Sequence, residues 1–404
     1  MTDGPGLAER GLRTLHQRLA AAVERGTVPG LAALVARGPD VHVEVLGHAA
    51  VGEDTPLRRD AIFRIASLSK PIAAAATMVL VEDGTLTLDG AVATFLPELA
   101  SPRVLRSLEG PLDDTVPAER AITVEDLLTF RLGFGAVMAP AGTYPVQEAE
   151  AELGLMTLGP PWPPPPFGPD EWMARFATLP LMHQPGAEWR YNTGAQVLGV
   201  LVERAGGQPL EEFLRARLFE PLGMTDTAFW VPPEKVDRFT TAYFPDEATG
   251  ELALLDPPAG GWWNEPPAMG NLAGMLVSTL DDFWAFVSML LARGTARDGN
   301  AVLSPGAVAG MTTDHLTASQ RASAPVFFGD HGGWGYCMAA PGPLRGEPPV
   351  PWGFGWNGGT GTTWTSDPVR GLTTILFTQR AMTSPEPPAL FGDFWDAAYG
   401  AIAS

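Results

Sequence analysis

Ser67, Leu68, Ser69 and Lys70 form an S-x-x-K run inside the apolar stretch FRIASLSKPIAAAATMVLVEDG. On a helix, positions 67 and 70 share a face one turn apart, which sets the Lys70 amine over the Ser67 hydroxyl. A serine hydroxyl is a weak nucleophile until a base takes its proton. A lysine enclosed by apolar groups loses its charge and can serve as that base. The first turn of a helix adds free backbone N–H groups and partial positive charge, where a developing oxyanion is stabilised. Together these point to acyl transfer through a serine ester. The four-residue pattern alone also describes an N-cap serine followed by a solvated lysine. Only two lysines occur, Lys70 and Lys235, and the other 24 basic residues are arginines. Arginine keeps its proton near neutral pH, whereas a buried lysine can release it. Lys235 sits in the polar stretch VPPEKVDRF, where solvation is expected.

Tyr191 is a second candidate, one of five tyrosines in the chain. It stands just before an apolar run at 194–205, a place that suits a phenol tip entering a cleft. There it could relay protons between a leaving group and a base; a core tyrosine with one hydrogen bond is the alternative. A third candidate is the glycine run in FGWNGGTGTTWTSDP (354–368), which reads as a hairpin or as backbone that approaches a ligand closely. No G-x-S-x-G elbow, H-E-x-x-H pair, phosphate loop or dinucleotide fingerprint competes. His16, His42, His48, His183, His315 and His331 are scattered, so no metal site and no cofactor is expected. The single cysteine, Cys337, falls in an apolar segment and reads as a small core residue.

The elements that must position these groups follow from periodicity. Residues 5–25 read as an amphipathic helix with Leu7, Leu12, Leu15, Leu19 and Val23 at helical spacing. Two strand-like runs, 31–36 and 41–46, are separated by a turn. Ser67 to Asp83 reads as a buried alanine-rich helix ended by Gly84. Residues 86–264 mix short helical patterns (124–130, 170–178, 194–205 and 210–219) with loops. The stretch GPPWPPPPFGP (159–169) is extended polyproline by composition, a rigid surface loop or lid. Strands are expected again at 335–339, 352–356, 362–365 and 372–378, with helices at about 280–292 and 388–401. Front and back strands then join in one antiparallel sheet. The expected organisation is a sheet domain of residues 1–85 and 265–404, a mainly helical domain of residues 86–264, and an active site in the cleft between them.

FRIASLSKPI, the VLVEDGTLTLDGAVATFLPEL that follows it, ITVEDLLTFRLGFG (122–135) and EWRYNTGAQVLGVLVERAGGQPLEEFLRARLFEPLGMTDTAF (188–229) resemble the serine β-lactamase and penicillin-binding-protein superfamily. The resemblance is to its class C-like branch, which includes family VIII carboxylesterases and transacylases, and it runs from about residue 10 to 380. It implies an α+β fold, a β-lactamase/transpeptidase-like antiparallel sheet flanked by terminal helices with an inserted mainly helical region. It implies Ser67, Lys70 and Tyr191 as catalytic residues. The family's Y-x-N motif here reads Tyr191-Asn192-Thr193, which puts its amide contact with substrate in doubt; Asn192 is expected to point elsewhere. The K-T-G box is absent. Trp356-Asn357-Gly358-Gly359 is the best match in order, and Gly359-Thr360-Gly361 is a second register. The resemblance implies that the Ser67 and Gly359 amides form the oxyanion hole. Trp356, where β-lactamases carry a carboxylate-binding lysine, offers an apolar wall instead.

These readings imply a serine hydrolase that cleaves uncharged carboxylic esters, with a small-molecule ester or acyl donor as its partner. A transacylase, a weak β-lactamase or a D-amino-acid amidase would share the covalent chemistry. An inactive binding or assembly protein is the alternative from another class. Formal net charge is −20 over 404 residues, which repels phosphate backbones and anionic lipid, so no nucleic-acid or membrane partner is expected. One cysteine allows no intrachain disulfide, and the opening residues show no basic stretch followed by an apolar core. A cytoplasmic location is therefore expected. Trp162, Trp262, Trp263 and Trp356 are candidates for pocket walls.

Overall fold

The computed structural model describes residues 6–155, 164–246, 248–343 and 349–403. Its centre is a seven-stranded antiparallel sheet. The strands are β1 (Gly30–Arg37), β2 (Asp40–Gly47), β3 (Gly332–Trp334), β4 (Ala339–Pro341), β5 (Phe354–Gly358), β6 (Thr362–Asp367) and β7 (Leu372–Thr378). Their order across the sheet is β2-β1-β7-β6-β5-β4-β3, so the two ends of the chain meet at the β1–β7 pairing, where Leu34 faces Ile375.

Both faces of the central strands are covered, which explains their unbroken apolar runs. Alternate residues divide between two cores. Leu31, Ala33 and Val35 of β1 and Leu376 of β7 pack with Leu15 and Leu19 of helix α1 (Glu9–Glu24) and Phe391 and Phe394 of helix α5 (Ala389–Tyr399). Ala32, Leu34, Ile375 and Phe377 face the opposite way, into the main core. That core holds three further helices, α2 (Ser69–Glu82), α3 (Thr193–Gly206) and α4 (Leu280–Leu291). Each large apolar side chain buried this way contributes roughly 1.5–3 kcal/mol. Every residue of α2 from Ser69 to Leu80 is buried, as expected of a helix apolar on all sides. Its four alanines, Ala73 to Ala76, are fully enclosed.

Between residues 86 and 264 lie mostly short helices, including Val124–Leu128, Pro145–Glu152, Pro169–Phe176 and α3, with two small two-stranded sheets. The hairpin Ala242–Pro245 with Leu252–Asp256 is tied back to the end of β7, because Tyr243 N donates to Gln379 O at 2.8 Å. Residues 159–163 of the proline-rich stretch, Trp162 among them, lie outside the described residues. The strand expected at 335–339 is instead the turn between β3 and β4. Gly335 N donates to Met338 O at 2.9 Å, and Cys337 has φ +55° with its N–H given to Leu128 O at 2.8 Å. All four turn residues are buried, and a buried turn has the composition of a strand.

Candidate active site

Ser67 does not open α2 directly. It sits in a 3₁₀ turn, Ala66–Leu68, that runs into the helix. Ala66 has φ +43°, a conformation that costs an L-residue about 1–3 kcal/mol and persists only where the surroundings enforce it. They do so here through four contacts. Ser69 Oγ donates to Ala66 O at 2.6 Å. Ile65 N donates to Leu276 O at 3.0 Å. Thr360 Oγ1 donates to Arg64 O, and Thr362 Oγ1 to Ile65 O at 3.1 Å. The last two join the nucleophile turn to the β5–β6 hairpin.

Beneath the turn, Arg64 is itself buried and paired with Asp256, its Nε 3.0 Å from Oδ2. Phe239 and Trp263 stack on the guanidinium at 3.9 and 5.1 Å. Burial lowers the Arg64 pKa to about 10, against the raising influence of Asp256; the group stays charged at neutral pH.

Ser67 Oγ lies 2.8 Å from Lys70 Nζ and 2.9 Å from the Tyr191 hydroxyl. Lys70 Nζ also donates to the main-chain carbonyl of Ala273. It stands 4.6 Å from the centre of the Tyr191 ring. Lys70 is fully buried, and desolvation pushes its pKa well below the usual lysine value, against the raising influence of the neighbouring Cys337. Burial pushes the Tyr191 phenol up to about 12, although Ser67 and Trp356 both hydrogen-bond it. Trp356 Nε1 donates to the Tyr191 hydroxyl at 2.9 Å. Phe130, Trp189 and Phe327 pack around the Tyr191 ring, Phe327 stacked at 5.0 Å.

These groups open into a cleft of about 280 Å³ lined by Ser67, Tyr191, Trp356 and Gly359, with Met138, Phe327 and Met382 among the apolar walls and, among the described residues, no ionisable acid or base in the lining other than the tyrosine. The sequence candidates Ser67, Lys70, Tyr191, Trp356, Gly358 and Gly359 are thus brought together. A Cβ on Gly358 would lie 2.4 Å from Ile65 O, whereas one on Gly359 meets nothing within 4 Å. Asn192, expected to point elsewhere, is buried and belongs to the cleft wall, with φ +85° at the start of α3.

Other expectations are redistributed. Trp263 is enclosed, donating to Met275 O at 2.7 Å, and Trp262 lies outside the cleft wall. Lys235 is not merely solvated: it pairs with Asp226 at 2.9 Å. Met138, Phe327, Thr360, Thr362 and the Ala273 carbonyl were not foreseen. The two threonines lie in the run TGTTWT, Thr360 in the turn and Thr362 at the start of β6. Among the described residues, no cluster of three or more His, Cys, Asp or Glu is arranged to hold a metal, and no helix is long and apolar enough to cross a membrane.

A sheet with helices on both faces and a serine–lysine–tyrosine cluster beside its β5–β6 hairpin defines the class of β-lactamase-fold serine hydrolases and acyltransferases. The Beta-lactamase family model matches residues 15–392, and the chain belongs to that family. It is 38% identical over 350 residues to Protein Rv1367c of Mycobacterium tuberculosis, covering 84% of this chain and 82% of that one. It is 31% identical over 314 residues to the lovastatin esterase of Penicillium rubens, covering 75% and 73%. Among solved structures it resembles EstCE1, a hydrolase with promiscuous acyltransferase activity, at a TM-score of 0.76 and 23% identity over 96% of this chain and 98% of the other.

Proposed function

We propose that the protein is a serine hydrolase that cleaves uncharged carboxylic esters through an acyl-enzyme on Ser67. One observation carries the reading: a serine hydroxyl within hydrogen-bond reach of both a buried, uncharged-leaning lysine and a phenol. The opposite shifts of Lys70 and Tyr191 assign their roles, because the amine is neutral and available as base while the phenol keeps its proton. A consistent chain of donors runs from Trp356 N–H to Tyr191 O–H, from Tyr191 O–H to Ser67 O–H, and from Ser67 O–H to the Lys70 lone pair. Lys70 takes the Ser67 proton as Oγ attacks the ester carbonyl. The oxyanion is held by the Ser67 and Gly359 amides. Collapse breaks the bond to the alcohol, whose oxygen takes a proton from Tyr191, and Lys70 returns one to Tyr191. Water then attacks the acyl-enzyme with the same groups as base, releasing the acid and restoring Ser67.

The cleft wall, without a cation, favours esters over carboxylate-bearing β-lactams. The lovastatin esterase relative is in keeping with ester cleavage. The apolar wall also suits an alcohol acceptor in place of water, in keeping with the promiscuous acyltransferase activity of EstCE1; this is the second reading. A fluorophosphonate probe is expected to add its mass to Ser67, and a p-nitrophenyl ester to turn over faster than a chromogenic cephalosporin. Adding a primary alcohol separates the two readings by the ratio of new ester to free acid. No adduct on Ser67 in the folded protein would overturn both.

A further inference from the structure

A second cavity, of about 350 Å³, adjoins the cleft and shares three walls with it: Met138, Tyr191 and Phe327. Its remaining lining is mainly apolar, Val137, Tyr144 and Trp189 included, with Arg190 and Ser323 as its polar members. Phe327 lies on the four-residue helix Pro325–Phe328, only partly buried, and stacks on both Tyr191 (5.0 Å) and Trp356 (6.2 Å). It is therefore a partition: one face closes the cleft beside Tyr191, and the same side chain bounds the neighbouring cavity.

Resting on the ester-hydrolase reading, we propose that this second cavity is the subsite for the alcohol part of the substrate, that it takes bulky apolar or aromatic alcohols, and that Phe327 sets how large they are. The argument is directional. The leaving oxygen must come within reach of the Tyr191 hydroxyl to be protonated, so the alcohol part passes the Tyr191 ring. The walls there are Met138 and Phe327, beyond which lies the cavity. The acyl part, with its carbonyl oxygen at the Ser67 and Gly359 amides, extends to the other end of the cleft, towards Met382 and Pro385. An apolar pocket discriminates by size at about 10–200-fold per methylene gained or lost, so removing a ring from the partition alters selectivity strongly.

Two ester series test this: acetates of ethanol, benzyl alcohol and naphthylmethanol, and p-nitrophenyl esters of acetic, butanoic and octanoic acid. Phe327→Ala is expected to raise the naphthylmethyl-to-ethyl ratio of kcat/KM by at least about tenfold, with the octanoate-to-acetate ratio held within about threefold. Ala139→Phe fills the cavity from a position that does not line the cleft, and is expected to lower the first ratio without moving the second. Ratios taken within one variant are immune to a general loss of activity, and Phe327→Leu supplies an intermediate size. A shift in the acyl ratio alone, or no shift in either, would overturn the assignment. Fluorophosphonate labelling of Ser67 separates the two levels. Labelling with unmoved ratios refutes only the subsite, whereas no labelling of the unmodified protein refutes the acyl-enzyme reading and the subsite with it.

Discussion

Thr362 Oγ1 donates to the carbonyl of Ile65 across 3.1 Å, so a side chain of β6 holds the backbone two residues ahead of Ser67. Both groups are buried. The backbone leading to Ser67 is thereby tied to the β5–β6 hairpin by side-chain hydrogen bonds, and on the proposed mechanism these bonds set the spacing of the Ser67 and Gly359 amides. Thr362→Val removes one of two hydrogen bonds to the Ile65 carbonyl, which keeps the Leu68 N–H at 3.0 Å, at a cost of about 0.5–1.5 kcal/mol. It is expected to lower kcat about tenfold with KM changed less than about threefold, because a misplaced oxyanion donor is felt only when the oxyanion forms. Thr362→Ser, which keeps the hydroxyl, is expected to recover most of the loss. A structural role alone would lower stability in steady thermal unfolding without splitting kcat from KM.

Ser67→Ala and Lys70→Ala are each expected to lower kcat/KM for p-nitrophenyl acetate by at least about a hundredfold. Lys70→Arg is expected to fail as well. A guanidinium keeps its proton where the amine does not, and it is too large for a site enclosed on every side. Circular dichroism checks that each variant folds. Near-normal turnover by the arginine variant would remove Lys70 from the role of base.

Much of this site was legible because its chemistry lies close together in sequence. Ser67 and Lys70 are one helical turn apart, the surrounding residues are apolar, and lysine is nearly absent elsewhere. Tyr191 and the 356–359 run could be named but not placed, since contacts spanning 124 and 165 residues leave no local periodicity. The sheet was readable from apolar runs at both chain ends. The turn at 335–338 was misread as strand because burial, not backbone geometry, sets composition. Phe327 was invisible for a different reason. It belongs to a four-residue helix, too short to produce an amphipathic pattern.

Arg64 and Asp256 show the same limit in the core. They sit 192 residues apart, and the pair is fully enclosed. Asp256→Ala removes the counter-charge of a buried guanidinium, leaving it only the Thr240, Asp256 and Pro257 carbonyls, and is expected to cost about 3–5 kcal/mol, measured by urea unfolding. Replacing both partners with apolar residues of similar volume, Arg64→Met with Asp256→Leu, is expected to recover most of that loss. If the single variant loses under about 1 kcal/mol, the pair is not what anchors the strand leading to Ser67.

The depressed Lys70 pKa has consequences for both activity and stability. As base, Lys70 must be neutral, so kcat/KM is expected to rise with pH through its lowered pKa and to stay flat above it. Tyr191, pushed up to about 12, keeps its proton over that whole range. Tyr191→Phe is therefore expected to reduce the rate while leaving the acid limb where it is; movement of that limb would assign it to the phenol. For stability, the unfolded chain binds the lysine proton up to its ordinary value of 10.5, while the folded chain has already released it. Between the depressed folded value and 10.5 the unfolded state holds more protons, so stability conferred by this site rises with pH, by about 1.4 kcal/mol per pH unit while one proton separates the states. Below the folded value both states are protonated, and burying the ammonium is a net cost. Lys70→Met has no such proton. The melting temperature of the unmodified protein is thus expected to climb relative to Lys70→Met as pH is raised from about 6 to 9. A constant difference across that interval would mean that Lys70 is as protonated in the fold as in water.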